Sequence, residues 1–123
     1  MVYLATSPAG ALVEVLVNLE LDPASLPRSY HMLKAEAPQE VGVTRVDQAS
    51  LPENWREDRN ATRRHGDEWL AAAASALLEV PSAILPETFN ILLNPRHKDA
   101  GRVAVLWHEA YPYDHRLFGA RRG

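Results

Sequence analysis

The sequence predicts a mixed α/β domain of the α+β type, in which helices flank one compact, small mixed sheet. The chain has 123 residues, the length of one domain with a single hydrophobic core. Hydrophobic residues make up 46% and charged residues 24%, a balance typical of a folded protein and not of a disordered one. Short segments of β-type composition are interrupted by two segments whose apolar residues recur at helical spacing. That order of strand, helix, strands, helix and strands is typical of a small sheet with flanking helices.

The first predicted elements are a strand at residues 2–5 and a helix at about residues 8–18. Ser7 precedes Pro8, and this pair is typical of a helix start because serine accepts hydrogen bonds from first-turn amides and proline suits the first helical position. Glu14 lies within the helix between two valines. The apolar residues that recur at helical spacing are Leu12, Val13, Leu16 and Val17.

The rest of the chain contains a second predicted helix and five further extended segments. The helix covers residues 60–76, starts near Asn60 or Thr62 and includes four consecutive alanines. Gly66 within it costs about 1 kcal/mol relative to alanine, so we expect the helix to break there, with Asp67 capping its second half. The extended segments are residues 29–35, 41–46, 77–84, 89–93 and 102–107.

These elements form one predicted domain at residues 1–118. Residues 21–27, which include two prolines, and residues 47–55 are predicted to be connectors within it. No internal repeat or low-complexity linker divides the sequence. Residues 119–123 are predicted to form a flexible, frayed tail.

Composition argues against several classes of protein. The 13 Lys and Arg residues against 16 Asp and Glu give a net charge of −3, whereas proteins that bind nucleic acids directly usually have a basic excess. The absence of cysteine excludes disulfides, thiolate nucleophiles and cysteine-ligated zinc. No apolar run approaches the roughly 20 residues of a membrane span, and no leader-like segment opens the chain. A cytoplasmic protein without membrane contact is therefore predicted.

Common phosphate-binding and metal-binding motifs are also absent. The sequence has neither a glycine-rich loop ending in Gly-Lys-Ser/Thr nor a Gly-x-Gly-x-x-Gly segment. Its five histidines do not form the His-Glu-x-x-His spacing of helical zinc sites. No metal site is predicted.

On local chemistry alone, the polar residues within apolar segments are interpreted as structural. Glu14 would face solvent beside Asn18, and Tyr3 would be an aromatic residue of the core or its rim. Ser82 lies in an otherwise apolar strand. The two asparagines of residues 90–97 flank an apolar run, as in a segment that anchors a loop.

Six short blocks of sequence, taken together and in order, change that interpretation. They span residues 3 to about 118, nearly the whole chain, and each alone would be a weak signal. The blocks are YLATSPAGALVE at 3–14, LPENW at 51–55, GDEWL at 66–70, VPSA at 80–83, NILLNPRH at 90–97 and DHRL at 114–117. In type and order they resemble the motifs of the RES-domain family of bacterial toxins.

The resemblance implies a compact fold similar to that of ADP-ribosyltransferases, built around a cleft for NAD. It also implies the toxin half of a type II toxin–antitoxin system that inhibits bacterial growth. Family members consume NAD as a substrate by hydrolysis or phosphorolysis of the nicotinamide–ribose bond, and some transfer ADP-ribose to a protein. Their partner is an Xre-like helix-turn-helix antitoxin that covers the active site, and they commonly dimerise and assemble with it.

The resemblance further implies which residues carry the chemistry. Tyr3 matches the family's functional tyrosine, Glu14 its glutamate and Ser82 its serine. A fixed carboxylate suits this reaction, since cleavage of a glycosidic bond builds an oxocarbenium-like centre on the ribose. A tyrosine offers a flat face for stacking and a hydroxyl for orientation. Tyr3 and Glu14 are thus the expected catalytic residues, and all three are expected to bind NAD.

One departure from the family pattern concerns an arginine. The family's functional arginine lies in a GGRWN segment about eleven residues before the tyrosine, and Tyr3 is the third residue here. The resemblance therefore implies an incomplete N-terminus. An arginine is the natural clamp for a pyrophosphate. Arg28, Arg45 and Arg116 are the remaining candidates for that role, although surface ion pairs are their simpler interpretation.

Two other hypotheses follow. The first is a catalytically inactive remnant that acts only by binding its antitoxin. The second is a ribonuclease-like toxin, which the acidic balance and the lack of a paired histidine and lysine site disfavour.

Overall fold

The computed structural model describes residues 1–18 and 28–118, and these form two helices and six strands. The predicted connector at 21–27 and the predicted tail at 119–123 lie outside the described residues. The mixed α+β architecture is confirmed. In chain order the elements are β1 (Val2–Ala5), α1 (Pro8–Asn18), β2 (Ser29–Glu36), β3 (Val43–Arg45), α2 (Arg59–Ala72), β4 (Leu77–Pro81), β5 (Phe89–Leu93) and β6 (Ala104–Pro112).

Four of the strands form one mixed sheet in the order β1-β5-β4-β3. The pairs β1·β5 and β4·β5 are antiparallel, and β3 runs parallel to β4. On one face Leu78 and Leu92 are buried against Trp69 of α2. On the other face Leu77 is buried with Val41. The sheet therefore has apolar packing on both faces, and α2 covers only the first.

Helix α1 begins as the sequence predicts. The Ser7 hydroxyl accepts a hydrogen bond from the Gly10 amide at 3.0 Å, and the Ser7 carbonyl accepts one from the Ala11 amide. These contacts satisfy first-turn amides that would otherwise lack a partner. Gly10 is buried, and a β-carbon there would lie 3.7 Å from that of Ala5, so the helix starts directly against the end of β1.

Helix α2 is one unbroken helix, so the predicted break at Gly66 is wrong. Its cap is Asp58, whose carboxylate accepts hydrogen bonds from the amides of Asn60 and Ala61; Asp67 lies inside the helix and caps nothing. Trp69, one turn beyond Gly66, is 5% exposed and packs on the sheet. Burial of a large aromatic residue outweighs the roughly 1 kcal/mol that a helical glycine costs.

The same helix ends four residues earlier than predicted, at Ala72. Ala73 has a left-handed backbone with a φ of 51°. The turn lets the Ser75 hydroxyl accept a hydrogen bond from the Trp69 indole at 3.0 Å and donate one to the Leu77 carbonyl at 2.8 Å. These buried contacts and the start of β4 outweigh the helical propensity of the alanine run.

Strands β2 and β6 form a separate two-stranded antiparallel sheet. The predicted strand at 102–107 begins later, at Ala104, and continues to Pro112, so the predicted limits are wrong. The extension pairs β6 with the whole of β2, from Ser29 opposite Pro112 onward. Ring stacking of Tyr30 on Tyr111, with centroids 5.8 Å apart, stabilises the added residues.

Replacing Gly66 with alanine is expected to stabilise the protein. A β-carbon at this position would lie 3.8 Å from the Met1 methyl and 4.0 Å from a Leu92 methyl, which is ordinary van der Waals contact. Alanine also loses less backbone entropy in a helix. Chemical denaturation should show a gain of about 0.5–1 kcal/mol in unfolding free energy. A loss of stability would mean that α2 needs a distorted backbone at Gly66.

Candidate functional site

A cavity of about 950 Å³ lies on the face of the sheet that carries α2. Helix α1 lies over one side, and the first half of α2 with the loop before it forms the other. The volume is at the upper end of the roughly 300–1,000 Å³ typical of ligand sites. Tyr3 and Glu14, the two residues expected to be catalytic, both line it.

Tyr3 reaches the cavity from β1. It lies opposite Leu92 on β5, and its side chain is 74% exposed. Because alternate residues of paired strands share one face, Tyr3 is a diagonal neighbour of Asn90, which also lines the cavity. The ring is thus neither a core nor a rim aromatic but presents its surface to the open cavity.

Glu14 projects from the middle of α1 toward the sheet, so the interpretation that it faces solvent is wrong. Its Oε1 accepts two hydrogen bonds, one from the Ser82 hydroxyl at 2.9 Å and one from the Asn90 side-chain amide at 3.0 Å. These two donors fix the orientation of the carboxylate at the wall of the cavity.

Ser82 lies behind Glu14, at the end of β4. Its hydroxyl donates to Glu14 and accepts hydrogen bonds from the amides of Ile84 and Leu85, at 3.2 and 3.1 Å. This turn ends the strand at Pro81, so the predicted extension to residue 84 is wrong. Ser82 is 2% exposed, and its contacts are those of a residue that positions Glu14. Direct contact of Ser82 with a substrate stays a prediction.

Asn90 is a site residue that sequence reasoning missed. Its side-chain nitrogen donates to Glu14, and its buried Oδ1 accepts no hydrogen bond from the described part of the chain. The amide orientation is set by chemistry, since a carboxylate needs a donor opposite it. The expected loop anchor is the second asparagine of the block: Asn94 is buried and its Oδ1 accepts from the Arg96 amide at 3.1 Å. The signal for Asn90 was an amide directly before the apolar run of a predicted strand.

The three arginines considered as clamps do not line the cavity. Arg45 contacts Glu79 at 3.5 Å. Arg116 makes two hydrogen bonds to Asp114, which raise the pKa of its guanidinium, and lies in a separate hollow of about 520 Å³. Arg28 is exposed. Three other arginines line the cavity instead: Arg56, Arg59 and Arg63.

Residues 1–18 and 28–118 contain neither a cluster of metal ligands nor a membrane-spanning helix. No group of three or more His, Cys, Asp or Glu side chains in these ranges is placed to hold a metal ion. None of the helices in the same ranges combines the length and the apolar character that crossing a membrane requires.

Comparison with known proteins identifies the family of the chain. The model of the RES domain matches residues 1–114. "Toxin Res" of Pseudomonas putida is 43% identical over 118 residues, covering 96% of this chain and 79% of that protein. "Prs ADP-ribosylating toxin" of Sphingobium sp. is 32% identical over 121 residues, covering 95% and 74%. "Toxin Res" of Yersinia enterocolitica is 35% identical over 99 residues, covering 79% and 63%. The match extends from β1 through β6 and contains Glu14, Ser82 and Asn90, and the chain therefore belongs to the RES domain family.

Proposed function

We propose that this chain is the enzymatic toxin of a bacterial toxin–antitoxin pair and that it consumes NAD by cleaving the nicotinamide–ribose bond. Its relatives are named toxins, and one of them is named an ADP-ribosylating toxin. The observation that carries the proposal is the Glu14 carboxylate, held by Ser82 and Asn90 in a cavity that it shares with Tyr3.

The proposed reaction breaks the bond between C1′ of the ribose and the nicotinamide nitrogen. The electron pair of that bond leaves with nicotinamide, which departs as a neutral molecule and needs no general acid. Positive charge develops on C1′ and the ring oxygen, where the Glu14 carboxylate stabilises it or holds a ribose hydroxyl. The acceptor (water, phosphate or a protein side chain) then bonds to C1′ and loses a proton. Tyr3 stacks on the nicotinamide riboside and orients it.

The proposal includes the setting of the activity. The domain would comprise residues 1–118 and act in the bacterial cytoplasm without a metal, as a homo-oligomer or in a hetero-oligomer with its antitoxin. The antitoxin would be an Xre-like helix-turn-helix protein. Because Tyr3 is open to solvent at the cavity, a partner that covered this face would block access of NAD to Glu14.

The direct test is release of nicotinamide from NAD by the purified protein, with and without inorganic phosphate. We expect nicotinamide to accumulate in proportion to NAD loss, and the second product to identify the acceptor: ADP-ribose for water, a phosphorylated ADP-ribose for phosphate, or a labelled protein. Intact NAD beside stable binding of the antitoxin would contradict the proposal and support a protein that acts only by binding. Degradation of RNA with intact NAD would support a ribonuclease.

A further inference from the structure

Along the face of α2 that is turned toward the sheet, the side chains change from apolar to cationic. Its C-terminal half packs Trp69 and Leu70 against the sheet. Positions about two and three turns before Leu70 on the same face carry Arg63 and Arg59, which line the cavity. Arginines are typical of the outer, solvated face of a surface helix. Their position on the inner face, beside a cavity, indicates a ligand of opposite charge.

Over residues 1–18 and 28–118, no carboxylate forms an ion pair with Arg59 or Arg63. Arg56, just before the helix, also lines the cavity, and its guanidinium lies 4.5 Å from the centre of the Trp55 ring, which holds it in place. The amides of Asn60 and Ala61 are occupied by the carboxylate of Asp58, so the side chains, not the helix terminus, are available to an anion.

The charges of the cavity walls differ from side to side. The α1 side presents the Glu14 carboxylate, whereas the α2 side carries three arginines, Arg56, Arg59 and Arg63, against one carboxylate, Asp67. A dinucleotide such as NAD has the complementary arrangement, with a cationic nicotinamide ring at one end and two anionic phosphates next to that riboside. The phosphates cannot approach Glu14 without repulsion, whereas an arginine fork binds phosphate oxygens in pairs.

We propose that Arg59 and Arg63, with Arg56 beside them, form the subsite that binds the diphosphate of the dinucleotide substrate and thereby set its direction in the cavity. The identity of the substrate in this inference rests on the proposed function. The affinity of the subsite for a diphosphate does not. The arginines would contribute binding and orientation, while the bond cleaved lies at the Glu14 side.

The test measures binding without catalysis. ADP-ribose, which contains the diphosphate but no scissile nicotinamide bond, is titrated calorimetrically into the wild-type protein and into Arg59→Ala, Arg63→Ala and the double variant. Charged hydrogen bonds of this kind predict about 10- to 100-fold weaker binding for each arginine lost, and weaker wild-type binding at high salt. Arg64→Ala is the matched control, since Arg64 lies on the same helix but outside the cavity and should leave the Kd within about twofold.

Two further arms separate this proposal from its alternatives. Nicotinamide riboside has the same scissile bond without phosphate, so the double variant should raise the KM for NAD and leave turnover of the riboside unchanged. Equal ADP-ribose affinity in the double variant and the wild type would overturn the subsite. Loss of inorganic phosphate binding alone, with ADP-ribose affinity intact, would also overturn it, since the arginines would then hold a free phosphate. If NAD is not cleaved but ADP-ribose binding depends on Arg59 and Arg63, the proposed function fails and the subsite stands.

Discussion

Replacing Glu14 with glutamine is expected to lower kcat for NAD cleavage about 100- to 1,000-fold. Glutamine keeps the shape of the side chain, and its carbonyl oxygen can still accept hydrogen bonds from Ser82 and Asn90. Under the proposed mechanism, the variant loses the negative charge beside the ribose, where positive charge would develop as the bond breaks. Since this stabilisation acts in the transition state, kcat should fall while KM changes little. Steady-state release of nicotinamide measures both.

The control for this variant is Glu68→Gln. Glu68 is an exposed carboxylate on α2 that does not line the cavity, so the same chemical change there should leave kcat within about twofold. Thermal unfolding should show both variants folded. A Glu14→Gln protein with a kcat within threefold of wild type would remove Glu14 from the reaction. A large rise in KM at unchanged kcat would instead assign it to substrate binding.

The parts of the fold that were predictable are those fixed by neighbours in the sequence. The start of α1 depends on Ser7 and Pro8, and the contact of Ser7 with the Gly10 amide is complete within one turn. Strand β5 has the predicted limits because turn-forming residues bound it on both sides. The continuity of α2 through Gly66 and its end at Ala72 were not predictable, because the sheet below decides the burial of Trp69 and its hydrogen bond to Ser75.

The candidate site divides in the same way. Family motifs named Tyr3, Glu14 and Ser82, but not how they meet, since Glu14 contacts Ser82 and Asn90 across 68 and 76 residues of sequence. Asn90 was hidden because an amide beside an apolar run is also typical of a loop anchor, as Asn94 shows. The placement of Arg59 and Arg63 was not predictable from the sequence. In a helix considered alone, arginines indicate a solvated face, and only the cavity beside α2 suggests another role for them.

Replacing Ser82 with alanine is expected to lower both stability and kcat. The hydroxyl makes three hydrogen bonds in a site that is 2% exposed, and its loss leaves the amides of Ile84 and Leu85 without their acceptor. Unsatisfied groups of this kind cost about 1–3 kcal/mol in unfolding free energy, which denaturant titration measures. Glu14 would retain one of its two described donors, so its carboxylate would be less well oriented. A loss of about tenfold or more in kcat is expected at little-changed KM.

Whether Ser82→Ala changes kcat or KM decides whether Ser82 positions Glu14 or binds the substrate. A residue that acts by positioning Glu14 lowers kcat, and its effect should largely disappear in the Glu14→Gln background, where no charge is left to position. A serine that binds the substrate directly would raise KM in both backgrounds by the same factor. Ser29→Ala is the matched control, because Ser29 is exposed at the start of β2, outside the cavity, and should change neither constant. If Ser82→Ala raises KM by the same factor in the wild-type and Glu14→Gln backgrounds, the positioning role is contradicted and Ser82 binds the substrate directly.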